Sequence, residues 1–207
     1  MSTALTCYNA LKQEDGVVAF PTDTVWGLGC LPNNKSAIDR IYHLKGRDEN
    51  KPLILLGTHW QDFAPFINTS GISDHLRQNV CVDGQVTVVF PATSRVPESI
   101  HRGLNTIGCR VPDCAPLHEL LQQIPGHVLA TTSANPSGHP PAESAEEVQH
   151  YFAELTNQEN GAILSANDFV SQGTPSTVLS VGPNDAIKIF RQGDFILPEG
   201  LLAAIQK

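Results

Sequence analysis

The 207-residue sequence predicts a single α+β (α/β) domain, residues 1–207, organised around a mixed β-sheet. Three observations carry this expectation. Short β-branched segments recur along the chain, and several follow one another directly. Helical segments fall between them without the regular alternation of a doubly wound parallel sheet. Hydrophobic residues make up 41% and charged residues 16% of a chain long enough to enclose one core.

Taken in order, Gly16–Phe20 is the first strand candidate. Directly behind it, FPTDTVWGLGC (Phe20–Cys30) concentrates short hydroxyls, an acid, an aromatic ring and two glycines. It reads as a turn that leaves a buried strand. A helix follows over Lys35–Leu44, with Asn33 or Asn34 as N-cap and Ala37, Ile38, Ile41, Tyr42 and Leu44 as its apolar side. Gly46 stands where that helix should end. Strands are expected at Pro52–Leu56, Gln85–Phe90, Thr106–Val111 and Val128–Thr132, with weaker helices at Ser73–Val80 and Ala115–Gln123. Another helix near Ala145–Leu155 is announced by Ser144 and Glu147 at capping-box spacing. Ala162–Leu164, Ser176–Val181 and Ile187–Phe190 complete the strands, and Pro198–Lys207 reads as a closing helix with proline at its start. The longest irregular pieces, near Asn135–Pro141 and Asn167–Pro175, are rich in Gly, Pro and Ser, as functional loops often are.

Several function classes are disfavoured at once. A formal charge of -8 opposes general binding to a polyanion, although a local basic pocket for a small anion is allowed. No apolar run approaches the roughly 20 residues that span a bilayer. Met1–Gln13 lacks the pattern of a secretory signal, so a cytoplasmic location without membrane attachment is expected. The five cysteines (Cys7, Cys30, Cys81, Cys109, Cys114) include no Cys-x-x-Cys pair and read mainly as buried thiols. The eight histidines lack the i, i+4 spacing of a helical zinc site. Gly27–Cys30 is half of a dinucleotide fingerprint, but Pro32 occupies the place of its third glycine. Neither a phosphate-binding Gly-x-x-x-x-Gly-Lys loop nor a Gly-x-Ser-x-Gly elbow occurs.

Five segments at or beside strand ends carry the candidate chemistry. LKGRDENK (Leu44–Lys51) holds Lys45, Arg47 and Lys51. Lys45 and Arg47 could simply complement the negative end of the preceding helix, or reach one phosphate chain from the entrance of the next strand. LATTSANPSG (Leu129–Gly138) is either a turn that satisfies its own backbone or a loop offering hydroxyl and amide donors to a ligand. In TIGCRVP, Arg110 lies on a strand; facing solvent is its simpler state, and pointing inward would demand an anionic partner. GTPSTV (Gly173–Val178) and IFRQG (Ile189–Gly193) repeat the pattern.

PTDTVWGLG, KGR, GCRVP, SANPSG, PSTV and FRQG, in this order from about residue 14 to 195, resemble the YrdC family of threonylcarbamoyl-adenylate synthases. The resemblance implies a YrdC/RibB-like fold, a twisted mixed sheet surrounded by helices with a large concave basic cavity. It implies a nucleotidyltransferase that joins L-threonine, bicarbonate or CO2 and ATP into threonylcarbamoyl-AMP and pyrophosphate. In that family the product serves, through transfer proteins, N6-threonylcarbamoylation of adenosine in tRNA. A catalytic tetrad is implied at Lys45, Arg47, Ser133 and Asn135. ATP contacts are implied for Arg47, Lys51, Thr106, Ser133, Asn135 and Arg191, and threonine contacts for Thr24, Arg110, Thr131 and Ser176.

Trp26 stands where tyrosine is usual, and Leu56 where some members carry a histidine that touches threonine. The implied chemistry uses no covalent nucleophile and no metal site on the protein. Mg2+ comes with ATP, and Lys45 and Arg47 offset the repulsion between two anions. On this resemblance a chain of 207 residues is expected to lack the extra C-terminal domain of longer members. An alternative from the same resemblance is a double-stranded RNA-binding or regulatory paralogue; the intact tetrad favours the enzyme, and the acidic balance disfavours RNA. A carbamoyltransferase part of a hydrogenase maturation factor fits poorly, since zinc-finger and acylphosphatase segments are missing.

Overall fold

The computed structural model describes residues 3–156, 158–165 and 169–204. In chain order they form α1 (Thr3–Leu11), β1 (Val17–Phe20), β2 (Gly27–Cys30), α2 (Lys35–Lys45), β3 (Ile54–Gly57), α3 (Asp74–Val80), β4 (Val86–Pro91), α4 (Glu98–His101), β5 (Thr106–Arg110), α5 (Ala115–Leu121), β6 (Val128–Ser133), α6 (Ala145–Tyr151), β7 (Gly161–Ile163), β8 (Thr177–Gly182) and β9 (Ala186–Arg191). The nine strands make one mixed sheet in the order β7-β1-β2-β6-β3-β5-β4-β8-β9. Parallel pairs (β1 with β7, β3 with β5, β4 with β8) are set among antiparallel ones. The α+β expectation with a mixed sheet therefore holds.

Alternation along the strands sorts side chains onto two faces. Ala19, Leu28, Leu55, Val88, Cys109 and Ala130 point into the larger core, which α2 and α3 cover with Ile38, Ile41 and Leu76. The opposite face carries Val18, Phe20, Leu56 and Leu129 against Cys7 and Leu11 of α1 and Leu117 and Leu121 of α5. That second cover ends at β3. Beyond it, the same face of β5, β4 and β8 carries Arg110, Thr87 and Val178, which line a cavity. An incompletely covered sheet face is what leaves room for a site.

Local chemistry explains most boundaries. Asn34, not Asn33, caps α2 by accepting from the Ala37 N–H, and Gly46 closes the helix in the left-handed region at φ 54°. Ser144 Oγ accepts from the Glu147 N–H at 3.2 Å. Glu147 returns its bond to the Glu143 N–H rather than to the cap, so half of the expected capping box forms. That helix is also shorter than expected, because Phe152 at φ -136° and ψ 57° separates it from a 3-10 turn over Ala153–Leu155. The closing helix is a 3-10 segment, Glu199–Ala204, and residues 205–207 of the expected span lie outside the described residues, as do 167–168 of the second loop.

Three of the labelled helices and strands were not expected. The helix α1 has no charged residue in its terminal turns and a weak apolar pattern; it is held by burying Cys7 and Leu11 on the sheet. The four-residue α4 is too short to show a period. Strand β2 corrects the reading of Phe20–Cys30 as a turn: Gly27 and Gly29 are strand residues paired with Phe20 and Val18. A Cβ at Gly27 would meet the Phe20 ring at 2.6 Å, and one at Gly29 would meet it at 2.8 Å. Glycine is depleted in strands, so a strand whose glycines serve an aromatic ring beside them does not look like one.

Candidate active site

The cavity over the uncovered sheet face encloses about 290 Å³, at the lower edge of the roughly 300–1000 Å³ usual for small-molecule sites. Arg47, Arg110 and Arg191 line it together with Thr24, Thr87, Thr131, Ser133 and Ser176, while Trp26, Ile54, Leu56 and Val178 supply apolar wall. No carboxylate belongs to this lining among the described residues, so the cavity is basic in spite of the acidic chain.

Arg110 forms the closed end. It ends β5, alternates with Cys109 of the large core, and is buried on the cavity side. The expected solvent-facing arginine is thus replaced by the inward alternative, and its anionic partner is Asp23. Arg110 Nη2 donates to Asp23 Oδ1 at 2.5 Å, and Arg110 Nε donates to the Gly84 carbonyl at 2.7 Å. Burial lowers the arginine's pKa while the Asp23 charge opposes that shift. Asp23 Oδ1 also accepts from the Asp113 N–H at 3.2 Å, leaving Oδ2 buried with no partner.

The turn between β1 and β2 is shaped by Thr22. Its hydroxyl donates to the Val25 carbonyl at 2.6 Å and accepts from the N–H groups of Thr24 and Val25, each at 3.2 Å. Thr24 Oγ1 lies 3.1 Å from the same oxygen and, with the Thr22 proton already used, is the donor between them. Lone pairs of Thr24 are left toward the cavity it lines. Across the cavity Ser176 Oγ meets Thr87 Oγ1 at 2.9 Å, and Arg191 Nε donates to the Ser176 carbonyl at 3.0 Å. Partial burial and the nearby Arg110 charge lower the Arg191 pKa.

Lys45 occupies a different place from its neighbours in sequence. The Gly46 N–H takes the His43 and Tyr42 carbonyls, the Ser137 N–H takes the Lys45 carbonyl, and the lysine side chain turns to the end of β6. Its Nζ donates to the carbonyls of Ser133 and Asn135, each at 2.5 Å, and approaches Asn135 Oδ1 at 3.3 Å. Ser133 Oγ donates to the same Oδ1 at 2.6 Å, and Asn135 Nδ2 donates to the His139 carbonyl at 2.7 Å. Lys45, Ser133 and Asn135 are therefore one bonded unit. Burial, then the Arg47 charge, pulls the lysine pKa down to about 7, while three acceptors around one ammonium favour its charged form. Arg47 is held by the Pro52 carbonyl at 2.9 Å with its guanidinium on the cavity wall.

The structure thus brings Arg47, Ser133, Arg191, Thr24, Arg110, Thr131 and Ser176 onto one surface. Lys45 and Asn135 stand behind Ser133, outside the lining. Two further sequence candidates, Lys51 and Thr106, are also not brought to the wall. Lys51 is exposed, and Thr106 sits at the far end of β5, on the face of Arg110 but four residues away. Sequence reasoning missed Asp23, Thr22 and Thr87. Asp23 had a signal, as the one acid in Phe20–Cys30 and the obvious answer to an inward Arg110.

Comparisons with known proteins identify the family and the fold. A family model for Sua5, YciO and YrdC, described as "Telomere recombination", matches residues 10–193. The threonylcarbamoyl-AMP synthase of Thiobacillus denitrificans is 34% identical over 155 residues, covering 75% of this chain and 82% of that protein. The crystal structure of P. abyssi Sua5 complexed with L-threonine superposes with a TM-score of 0.81 at 26% identity, over 99% of this chain and 58% of that one. The chain thus spans just over half the length of that Sua5. E. coli YciO has the same fold, with a TM-score of 0.76 at 22% identity over 93% of this chain and 91% of its own. With nearly the whole chain inside the family match and the same mixed sheet in the solved relatives, this protein belongs to the Sua5/YciO/YrdC family.

Proposed function

We propose that this chain is a threonylcarbamoyl-AMP synthase, joining L-threonine, bicarbonate or CO2 and ATP with release of pyrophosphate. The observation that carries the reading is the polarity of one cavity. Its closed end offers a buried arginine and small hydroxyls (Arg110, Thr24, Thr131, Ser176), and its wall and mouth offer Arg47, Ser133 and Arg191. The first set suits an amino acid, whose carboxylate pairs with Arg110. The second suits a polyphosphate. Relatives that carry the activity in their names, and a Sua5 structure holding L-threonine, support the same assignment.

The reaction balances as follows. The neutral amine of threonine adds to CO2 and loses a proton, giving an N-carboxylate. An oxygen of that group attacks the α-phosphorus of ATP as the bond to pyrophosphate breaks, a nucleotidyl transfer. Negative charge grows on the departing phosphates, where Arg47 stands and where the Lys45 unit fixes Ser133. Mg2+ arrives as part of the ATP substrate.

The product is a mixed anhydride, suited to pass its threonylcarbamoyl group to the adenosine of tRNA through transfer proteins. We place this chemistry in the cytoplasm; no helix among the described residues is long and apolar enough to cross a membrane. The decisive test incubates the purified chain with threonine, labelled bicarbonate and ATP, omitting each in turn. Pyrophosphate and a threonylcarbamoyl nucleotide should appear only in the complete mixture, and pyrophosphate release independent of threonine would refute the proposal.

A further inference from the structure

In the proposed reaction the arginines and hydroxyls of the cavity take the amino acid and the phosphates, and the base falls to surface continuous with Arg191. Trp26, the aromatic residue of the lining, is packed into the large core and only 5% exposed.

The edge strand β9 supplies another ring. Val178 pairs with Arg191 while Leu179 pairs with Ile189, so Phe190 is an extra residue in the ladder. Such irregularities re-aim side chains, frequently beside active sites. Ile189 packs toward the large core and Arg191 lines the cavity on the other face. Lys188 pairs with Ser180, two residues from the cavity-lining Val178, and is therefore also on the cavity face. Its Nζ lies 5.4 Å from the centre of the Phe190 ring, which places that ring on the same side. Phe190 is 57% exposed, and among the described exposed large apolar residues it is the aromatic one.

From this geometry, and resting on the function proposed above, we propose that Phe190 is the platform on which the purine ring of the nucleotide stacks, with Lys188 at the ring and Arg191 bridging to the cavity. A solvent-exposed aromatic one residue from a cavity arginine is a sequence-tolerant surface for a base. A free nucleotide fits better than a strand of RNA, because a track of phosphates needs several aligned cations and the chain's net charge is -8.

The test compares the wild-type chain with Phe190→Ala and Phe190→Tyr, measuring affinity for ATP and for inorganic tripolyphosphate alongside turnover. Phe190→Ala should lose about tenfold in ATP affinity, the lower part of the effect of removing one stacked base. Phe190→Tyr should keep wild-type affinity, and tripolyphosphate should bind all three alike. Wild-type ATP affinity in Phe190→Ala, in a chain that still forms the threonylcarbamoyl nucleotide, overturns this inference and leaves the function standing. Equal losses for ATP and tripolyphosphate also overturn it, since they mark a general disturbance. A change in RNA binding or in oligomeric mass with ATP affinity intact overturns it in favour of those contacts. A wild-type chain that binds tripolyphosphate but neither binds nor converts ATP overturns both proposals.

Discussion

Arg110 Nη2 and Asp23 Oδ1 lie 2.5 Å apart, with side chains only 5% and 8% exposed. The two residues come from β5 and from the turn between β1 and β2, so the bond joins distant parts of the chain at the closed end of the cavity. Asp23 fixes the direction of the guanidinium, and the Gly84 carbonyl fixes its tilt.

Breaking this pair from one side should cost more than removing it. Asp23→Ala leaves a buried arginine uncompensated, and a loss of about 3 to 5 kcal/mol in urea unfolding is expected. The double variant Asp23→Ala with Arg110→Met should recover part of that loss. Simple additivity of the two changes would show that the residues do not act as a unit.

At the nucleotide side, Arg47→Ala should abolish pyrophosphate release while the melting curve stays close to that of the wild type. Ser133→Ala should weaken ATP binding by roughly 1.5 to 3 kcal/mol, the usual cost of a lost hydrogen bond to a charged group. Calorimetric titration with ATP checks the second statement. An unchanged isotherm would remove Ser133 from the phosphate contacts.

Strand β2 yields a packing prediction. The Phe20 ring fills the space where side chains at Gly27 and Gly29 would stand, and Thr131 Cγ2 closes the second position from the other side at 3.1 Å. Gly29→Ala should therefore destabilise by about 1 to 3 kcal/mol through overpacking. Combining it with Phe20→Leu should return part of that stability in chemical denaturation, because the smaller side chain vacates the ring's volume.

Much of this architecture was legible in the sequence because it rests on local periodicity. Eight strands and α2 follow from β-branched runs, from Asn34 and from Gly46. What escaped depends on contacts between distant residues. A glycine-rich strand makes sense only once Phe20 lies beside it, and the burial of Arg110 only once Asp23 faces it. The basic segment around Lys45 and Arg47 was visible, but the division of labour was not. Arg47 lines the cavity, while Lys45 is turned away from it into the end of β6. That difference rests on the end of β6, which presents the Ser133 and Asn135 carbonyls to Lys45 from 88 and 90 residues away in sequence.

The buried Lys45 should set opposite pH trends for stability and activity. Its pKa is lowered to about 7 in the fold, against roughly 10.4 for an ordinary lysine in the unfolded chain. Between these values the unfolded state binds the proton and the folded state does not, so stability relative to Lys45→Met should rise as pH climbs through this window. Below about pH 7 both states are protonated and the difference should be flat. Activity should move the other way. A neutral amine has two N–H donors for three acceptors, and the long contact to Asn135 Oδ1 at 3.3 Å is the first to be given up. Ser133 is then held less firmly, and kcat/KM for ATP should fall above pH 7. Parallel melting and rate profiles from pH 6 to 10 test this; a falling rate together with a flat stability difference would mean that another group carries the titration.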